Sequence, residues 1–231
     1  MKYILGIDQS TQGTKAILTD ENGQIVQRAD RRHEQILSEQ GWVSHDAEEI
    51  YRNVLIVAED VIRKAEIKKE QVRAIGISNQ RETTVAWDEK GVPVCEAIVW
   101  QCGRAASIAE EKKDAAEMIR ERTGLPLSPY FPAAKMAWIL QNIKPEGKLH
   151  FGTIDSWLIY KLTDGKVFAT DYSNASRTQL FNLHSLSWDK EICEIFGVPV
   201  EALPEVKDSN AIFGYTTFHG LFDEELPICG V

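Results

Sequence analysis

The stretch that most constrains this chain runs from Arg73 to Trp100. Arg73-Ala-Ile-Gly-Ile-Ser78 is a short apolar run that ends abruptly in six polar residues, Asn79-Gln-Arg-Glu-Thr-Thr84, before Val85-Ala-Trp87 resumes an apolar pattern. Such a run predicts a buried strand that delivers polar side chains to a rim, and a strand tip is a good place for a binding site. Asp88-Glu-Lys-Gly91 marks a turn and Ala97-Ile-Val-Trp100 a returning strand. Arg81 and Glu82 are adjacent, so in an extended segment their side chains leave on opposite faces and converge on one ligand only where the strand bends or ends. A guanidinium offers donors and a carboxylate offers acceptors, the complement that holds vicinal hydroxyls. Alone, the pair reads more readily as a surface turn with an exposed ion pair worth about 0–1 kcal/mol.

Ahead of this stretch, Tyr3-Ile-Leu-Gly-Ile7 and Lys15-Ala-Ile-Leu-Thr19 predict buried strands joined by Asp8-Gln-Ser-Thr-Gln-Gly-Thr14. A turn at Asp20-Glu-Asn-Gly23 leads into a third strand from Gln24 to Arg28, which makes an antiparallel meander. The first connection combines a carboxylate, Asp8, with a turn whose N–H groups and hydroxyls, Thr11 and Thr14 included, suit a phosphate. Asp8 suits Mg²⁺ held through one carboxylate and waters. The same residues serve equally well as a tight hairpin turn.

A helix follows, capped by Ser44 or Asp46, with Ile50, Val54, Val57 and Val61 at helical spacing as far as about Ala65. His45 reads as a capping or packing residue. The resulting order β-β-β-α-β predicts an α/β layer in which the meander is continued by parallel crossover strands flanked by helices. Further on, Ala105 to Arg120 predicts one amphipathic helix whose charged run Glu110-Glu-Lys-Lys-Asp114 faces solvent. A proline-rich loop, Thr123 to Pro132, carries Tyr130 and Phe131 at its tip ahead of a helix from about Ala133 to Asn142. Tyr130 either offers a small polyol an apolar face with a polar handle or staples the loop to the core. Phe151 to Asp155 turns into a helix over Ser156 to Leu162, Thr170 to Arg177 is a second polar rim loop, and a short helix from Asp189 stops at Gly197. Leu226-Pro-Ile-Cys-Gly-Val231 has the pattern of a strand just begun, which suggests a cut.

With 231 residues the chain suffices for a sizeable core. A formal charge of -9 without a basic cluster argues against nucleic acid or an anionic membrane as the main partner. No apolar run approaches the ~20 residues of a membrane span and the N-terminus lacks a signal peptide, so a cytoplasmic address is expected. Cys95, Cys102, Cys193 and Cys229 lie far apart with no C-x-x-C, which predicts reduced thiols.

Several segments together resemble the FGGY carbohydrate kinases, closest to the members that phosphorylate glycerol: Ile7-Asp-Gln-Ser-Thr11, Gly41-Trp-Val-Ser-His-Asp46, Gly76-Ile-Ser-Asn-Gln-Arg-Glu-Thr-Thr84, Ala97-Ile-Val-Trp-Gln-Cys102, Pro129-Tyr-Phe131, Phe151-Gly-Thr-Ile-Asp-Ser-Trp157 and Thr170-Asp-Tyr-Ser-Asn-Ala-Ser-Arg-Thr178. They stand in one collinear order over nearly the whole chain. The resemblance implies a ribonuclease H-like domain of the actin-like ATPase type. Residues 1–231 would be its N-terminal, substrate-binding domain, and the C-terminal nucleotide-binding domain would lie outside this chain. It implies ATP as phosphoryl donor, Mg²⁺ as cofactor, and glycerol or a related polyol or sugar as substrate. Arg81, Glu82 and Tyr130 match residues that hydrogen-bond the polyol, and Trp100 matches a tryptophan packed on its carbon backbone. Thr11, with Thr14 and Lys15 beside it, falls where the phosphoryl group is held, and Asp8 matches the aspartate associated with Mg²⁺.

Two departures from the family pattern stand out. Ser10 replaces a glycine, and Lys15 replaces an arginine, giving a point charge where a fork is usual. The family's catalytic base, an aspartate in a Gly-Asp-Gln-like segment, is expected just beyond Val231. A non-catalytic polyol-binding fragment and a kinase for a ketose or longer polyol are the alternative readings. Association into a homo-oligomer is a further expectation. So is phosphorylation of His219 by a phosphocarrier protein, although its register is displaced by a residue and a solvated loop histidine fits equally.

Overall fold

The computed structural model describes Met1–Val231. Strands β1 (Tyr3–Ser10), β2 (Gly13–Asp20) and β3 (Ile25–Arg32) form the expected antiparallel meander. The short strands β4 (Ile36–Leu37) and β5 (Val43–His45) lead into α1 (Ala47–Ala65), and β6 (Val72–Asn79) returns parallel to β1. The sheet order is β3-β2-β1-β6. Ile228 bridges Ile75 in parallel, Cys229 N–H donates to the Ile75 carbonyl and Ile77 N–H to the Gly230 carbonyl. The apolar run at the end of the chain therefore lies along the free edge of β6.

Local chemistry accounts for α1. The Asp46 carboxylate accepts from Glu48 N–H, Glu48 and Glu49 occupy the positively polarised first turn, and Glu66 closes the helix in a left-handed conformation. Ile50, Val54, Val57 and Val61 form its buried stripe, each worth about 1.5–3 kcal/mol when fully withdrawn from water. They pack against Leu5, Ala16, Leu18 and Ile75 from the inner face of the sheet.

The first hairpin is longer than expected. Burial alternates without a break through Ser10, and Gln9 and Thr14 face inward as fully buried residues, so pairing runs to Ser10 opposite Gly13. Asp8 and Thr14 therefore belong to strands rather than to a phosphate-cupping loop. Gly13 fits because a Cβ there would lie 2.5 Å from the Arg31 carbonyl oxygen on β3.

The second half builds a smaller layer. Strand β7 (Val85–Asp88) and the short β8 (Ala97–Ile98) precede helices α2 (Ala106–Glu111), α3 (Ala116–Thr123) and α4 (Pro132–Asn142), then β9 (Leu149–Gly152) and α5 (Ile154–Leu162). β7 pairs antiparallel with β9, and β8 pairs with β5 instead of extending the main sheet. The single helix expected over Ala105–Arg120 is broken at Lys112. Nothing between Glu110 and Met118 is buried, so packing gives no support to a continuous helix there. A second apolar core, with Ile98, Val99, Met136, Ile139 and Phe151, fills the space among these elements, while α5 buries Ile154, Trp157, Leu158 and Ile159 in the first core. Strand β10 (Ala169–Asp171) and the short turn of helix α6 (Tyr172–Ala175) form a rim segment beside the end of β6. All four cysteines are free, and no helix is long and apolar enough to cross a membrane.

Candidate functional site

Strand β6 ends at Asn79, and three residues later the chain bends at Glu82, whose φ is +64°. A non-glycine residue in the left-handed region costs about 1–2 kcal/mol and persists only where the surroundings hold it. Here they do. The buried Glu82 carboxylate accepts a 2.6 Å hydrogen bond from Arg177 Nε, and the Arg177 guanidinium lies over the Phe131 ring at 5.2 Å. Glu82 thus pairs with Arg177, not with Arg81, and the exposed Arg81–Glu82 ion pair of the surface-turn reading is not formed. Arg81 is exposed and makes no ion pair. It lines an open groove of about 450 Å³ with Ser78, Asn79, Ser173 and Asn174.

The bend is tied to the first hairpin by a relay of hydrogen bonds. Gln80 N–H donates to the Gln9 carbonyl at 2.6 Å, and Gln80 Nε2 donates to Gln9 Oε1 at 3.0 Å. Thr83 Oγ1 donates to Gln80 Oε1 and accepts from Trp100 N–H. The Trp100 indole N–H then donates to Thr11 Oγ1 at 2.9 Å, at the hairpin tip. The Trp100 and Tyr130 rings stand 5.5 Å apart, and Tyr130 meets Phe131 edge-on at 5.1 Å. Thr11, Trp100, Tyr130 and Glu82 are therefore joined through direct contacts and Phe131–Arg177. Because the Trp100 N–H and one lone pair of Thr11 serve each other, what remains is a flat aromatic face and a hydroxyl proton free to donate.

Asp8 and Lys15 sit opposite each other on β1 and β2, on the outer sheet face, with Lys15 Nζ 3.2 Å from Asp8 Oδ2. Both are about half exposed, so the pair is worth little by itself and opens readily to another ligand. No group of three His, Cys, Asp or Glu side chains converges anywhere in the chain. The lone Asp8 carboxylate suits Mg²⁺ held by waters and phosphate oxygens rather than by a protein cage. Thr14 requires a correction. Its hydroxyl is buried on the inner face, away from Asp8 and Lys15, because residues 14 and 15 of a strand point to opposite sides.

Beneath the groove lies a polar network that sequence reading missed. Asn79 Nδ2 donates to Asn174 Oδ1 at 3.0 Å and reaches Asp155 Oδ1 at 3.5 Å. Asp155, fully buried, also accepts from the Thr153 and Thr170 hydroxyls. Asp171 caps α6 by accepting from Asn174 N–H at 2.7 Å, and accepts from Ser209 as well. Burial pushes the Asp155 carboxyl up to about 6, against the opposing hydrogen bonds from the two threonines. Arg177 was also missed. It lies in the polar run that predicted a rim loop, but its partner is 95 residues away and no local pattern announces the pairing. His45 packs as expected, fully buried edge-on to His33 at 4.4 Å, with burial pulling it down to about 4. His219 is exposed, edge-on to Tyr51.

Residues 3–230 match the N-terminal domain of the FGGY family of carbohydrate kinases. Glycerol kinase 1 of Thermotoga maritima is 51% identical over 238 residues, covering 99% of this chain and 48% of the relative. The crystal structure of Plasmodium falciparum glycerol kinase with ADP superposes with a TM-score of 0.92 at 36% identity, covering 100% of this chain and 48% of that one. Gluconate kinase from Lactobacillus acidophilus gives a TM-score of 0.89 at 25% identity, covering 99% of this chain and 47% of that one. The chain spans about half the length of the curated relatives it matches.

Two outcomes are expected. Arg177→Met strands the Glu82 carboxylate without its counter-charge, so equilibrium unfolding should show a loss on the order of 3 kcal/mol. Adding Glu82→Gln should recover most of it, whereas equal losses in the single and double variants would place the cost elsewhere. For Asp155, the folded-state pKa lies above the ordinary 3.8, so its contribution to stability is fully present below about pH 4 and is lost as pH rises through about 6. Between pH 4 and 7 the melting temperature of the native protein should therefore fall relative to that of Asp155→Asn; parallel pH profiles would contradict the assignment.

Proposed function

The chain belongs to the FGGY family of carbohydrate kinases, and from that premise we propose that the complete protein transfers the γ-phosphoryl group of ATP to a primary hydroxyl of glycerol. Residues 1–231 supply the substrate-holding half of the cleft. The observation that carries this reading is the relay from Gln9 through Gln80, Thr83 and Trp100 to Thr11. It joins the tip of the first hairpin to an aromatic wall and to the bend bearing Arg81 and Glu82.

Each group has a task that its geometry suits. Arg81, with no protein partner, donates to polyol hydroxyls from the groove. Glu82 Oε1 is held by Arg177, which leaves Oε2 to accept a hydroxyl proton. Trp100 presents its ring face to the carbon backbone, and Tyr130 adds a second ring with a hydroxyl. Thr11 donates to the phosphoryl oxygens and Lys15 adds charge beside them. Asp8 would hold Mg²⁺ through water, and the bound ion would neutralise charge on the nucleotide phosphates. In the transfer, the alcohol oxygen bonds to the γ-phosphorus while the bond to the β–γ bridging oxygen breaks, and ADP leaves. The alcohol proton passes to a carboxylate base that we place outside residues 1–231, in the half that completes the cleft. Positioning and charge stabilisation carry most of such a reaction.

The likeness to a gluconate kinase keeps a longer polyol or a sugar as the second reading of the same site. Steady-state assays of the complete enzyme with ATP, Mg²⁺ and a panel of glycerol, longer polyols and ketoses decide between them. Glycerol should give the highest kcat/KM, and Arg81→Ala should lower that ratio by roughly 100-fold, at ~1.4 kcal/mol per tenfold. A higher ratio for a ketose moves the substrate to the second reading, and no phosphorylation of any compound removes the kinase reading.

A further inference from the structure

Lys135 is the one lysine with no accessible surface, and nothing in the proposed reaction uses it. It lies in the first turn of α4, directly after the loop that carries Tyr130 and Phe131. Burying an ammonium is expensive, and the usual remedy is a carboxylate in direct contact. Lys135 has none. Its Nζ donates instead to two backbone carbonyls, those of Pro129 at 2.8 Å and of Tyr130. A methionine or leucine would fill the same volume without the desolvation cost, so packing alone does not account for a charged side chain here. Burial draws the amine down to about 7, with Cys102 and then Glu82 nearby opposing the fall.

What the Lys135 amine holds is informative. The two carbonyls belong to the residue whose ring stands against Trp100 and to the one before it, at the point where the loop turns into α4. Ser128 pins the same turn from the other side, its hydroxyl accepting from Tyr130 N–H at 3.2 Å. Tyr130 is thus gripped at both backbone polar groups, and its ring position relative to Trp100 follows from where that backbone is held.

We propose that Lys135 is a positioning residue for the polyol: by clamping the Pro129 and Tyr130 carbonyls it fixes the Tyr130 ring against Trp100 and so sets the width of the aromatic wall. This role rests on the polyol-kinase reading for its substrate, but the clamp itself does not. With the clamp released, the loop relaxes to let water reach the two carbonyls. The wall then loses its fixed spacing, weakening ground-state and transition-state binding of the polyol alike.

The test uses Lys135→Met and Lys135→Gln in the complete enzyme, with two readouts. In steady-state kinetics with glycerol, KM should rise about tenfold or more while kcat stays within about twofold and KM for ATP is unchanged. In proton–nitrogen spectra, the Trp100 indole N–H resonance, assigned through Trp100→Phe, should shift or broaden in both variants. A lower melting temperature with unchanged KM and an unmoved Trp100 resonance would overturn the proposal and leave Lys135 a structural residue. If Lys135→Met does not fold, Lys135→Gln carries the same two readouts. A native enzyme that phosphorylates no polyol, together with a shifted Trp100 resonance in the variants, would sink the substrate reading while supporting the clamp.

Discussion

The pairing of Glu82 with Arg177 is the interaction on which the site depends. A carboxylate buried at a backbone bend is unfavourable unless a cation meets it, and a left-handed glutamate adds strain of its own. Arg177 answers the first cost, and the stack on Phe131 fixes the guanidinium that does so. One consequence is that the rim segment Thr170–Arg177 must lie over the end of β6, and Asn79 with Asn174 secures the contact a few residues away. Another is that Arg81, next to a residue turned inward, is left facing the groove without a partner. The strain at Glu82 is thereby converted into a free guanidinium and a half-used carboxylate, side by side in sequence.

The second requirement of a phosphoryl-transfer site is that the alcohol and the phosphate chain meet. A parallel strand next to a meander provides this cheaply, because β1 and β6 finish at the same end of the sheet. Gln9 and Gln80 then lock the two ends together with complementary amides, and Trp100 reaches from the second layer to Thr11. Side chains from both layers of the fold therefore share one hydrogen-bonded unit. Movement of the hairpin tip is coupled to the aromatic wall through groups that are largely withdrawn from solvent.

Much of this was legible in the sequence. The meander, the α1 crossover to a parallel strand and the break in pattern after Ser78 follow from local signals and are found, with two unforeseen short strands, β4 and β5, ahead of α1; of the two caps the sequence offered, Ser44 and Asp46, the helix uses Asp46. Family motifs named Arg81, Glu82, Trp100, Tyr130, Thr11, Lys15 and Asp8 as candidates, and the structure joins Glu82, Trp100, Tyr130 and Thr11 into one contact chain. Three things were not legible. Thr14 looked like a turn residue because Gly13 and Ser10 are good turn formers, but the hairpin stays paired to its tip and the hydroxyl ends up inside. The helix expected over Ala105–Arg120 breaks because the charged run in its middle has nothing to pack on, a tertiary fact that periodicity does not contain. Arg177, Lys135 and Asp155 owe their roles to partners distant in sequence or to burial, and one sequence shows neither.

The central claim is that a bend after β6 and an aromatic wall hold one small polyol between them. A crystal structure of the complete enzyme with glycerol tests it most directly. The account expects glycerol hydroxyls within about 3.2 Å of Arg81 and of Glu82 Oε2, the carbon chain against the Trp100 ring, and the Glu82–Arg177 bond intact. Glycerol bound away from these residues, or Glu82 swung free of Arg177 to reach it, would contradict the account.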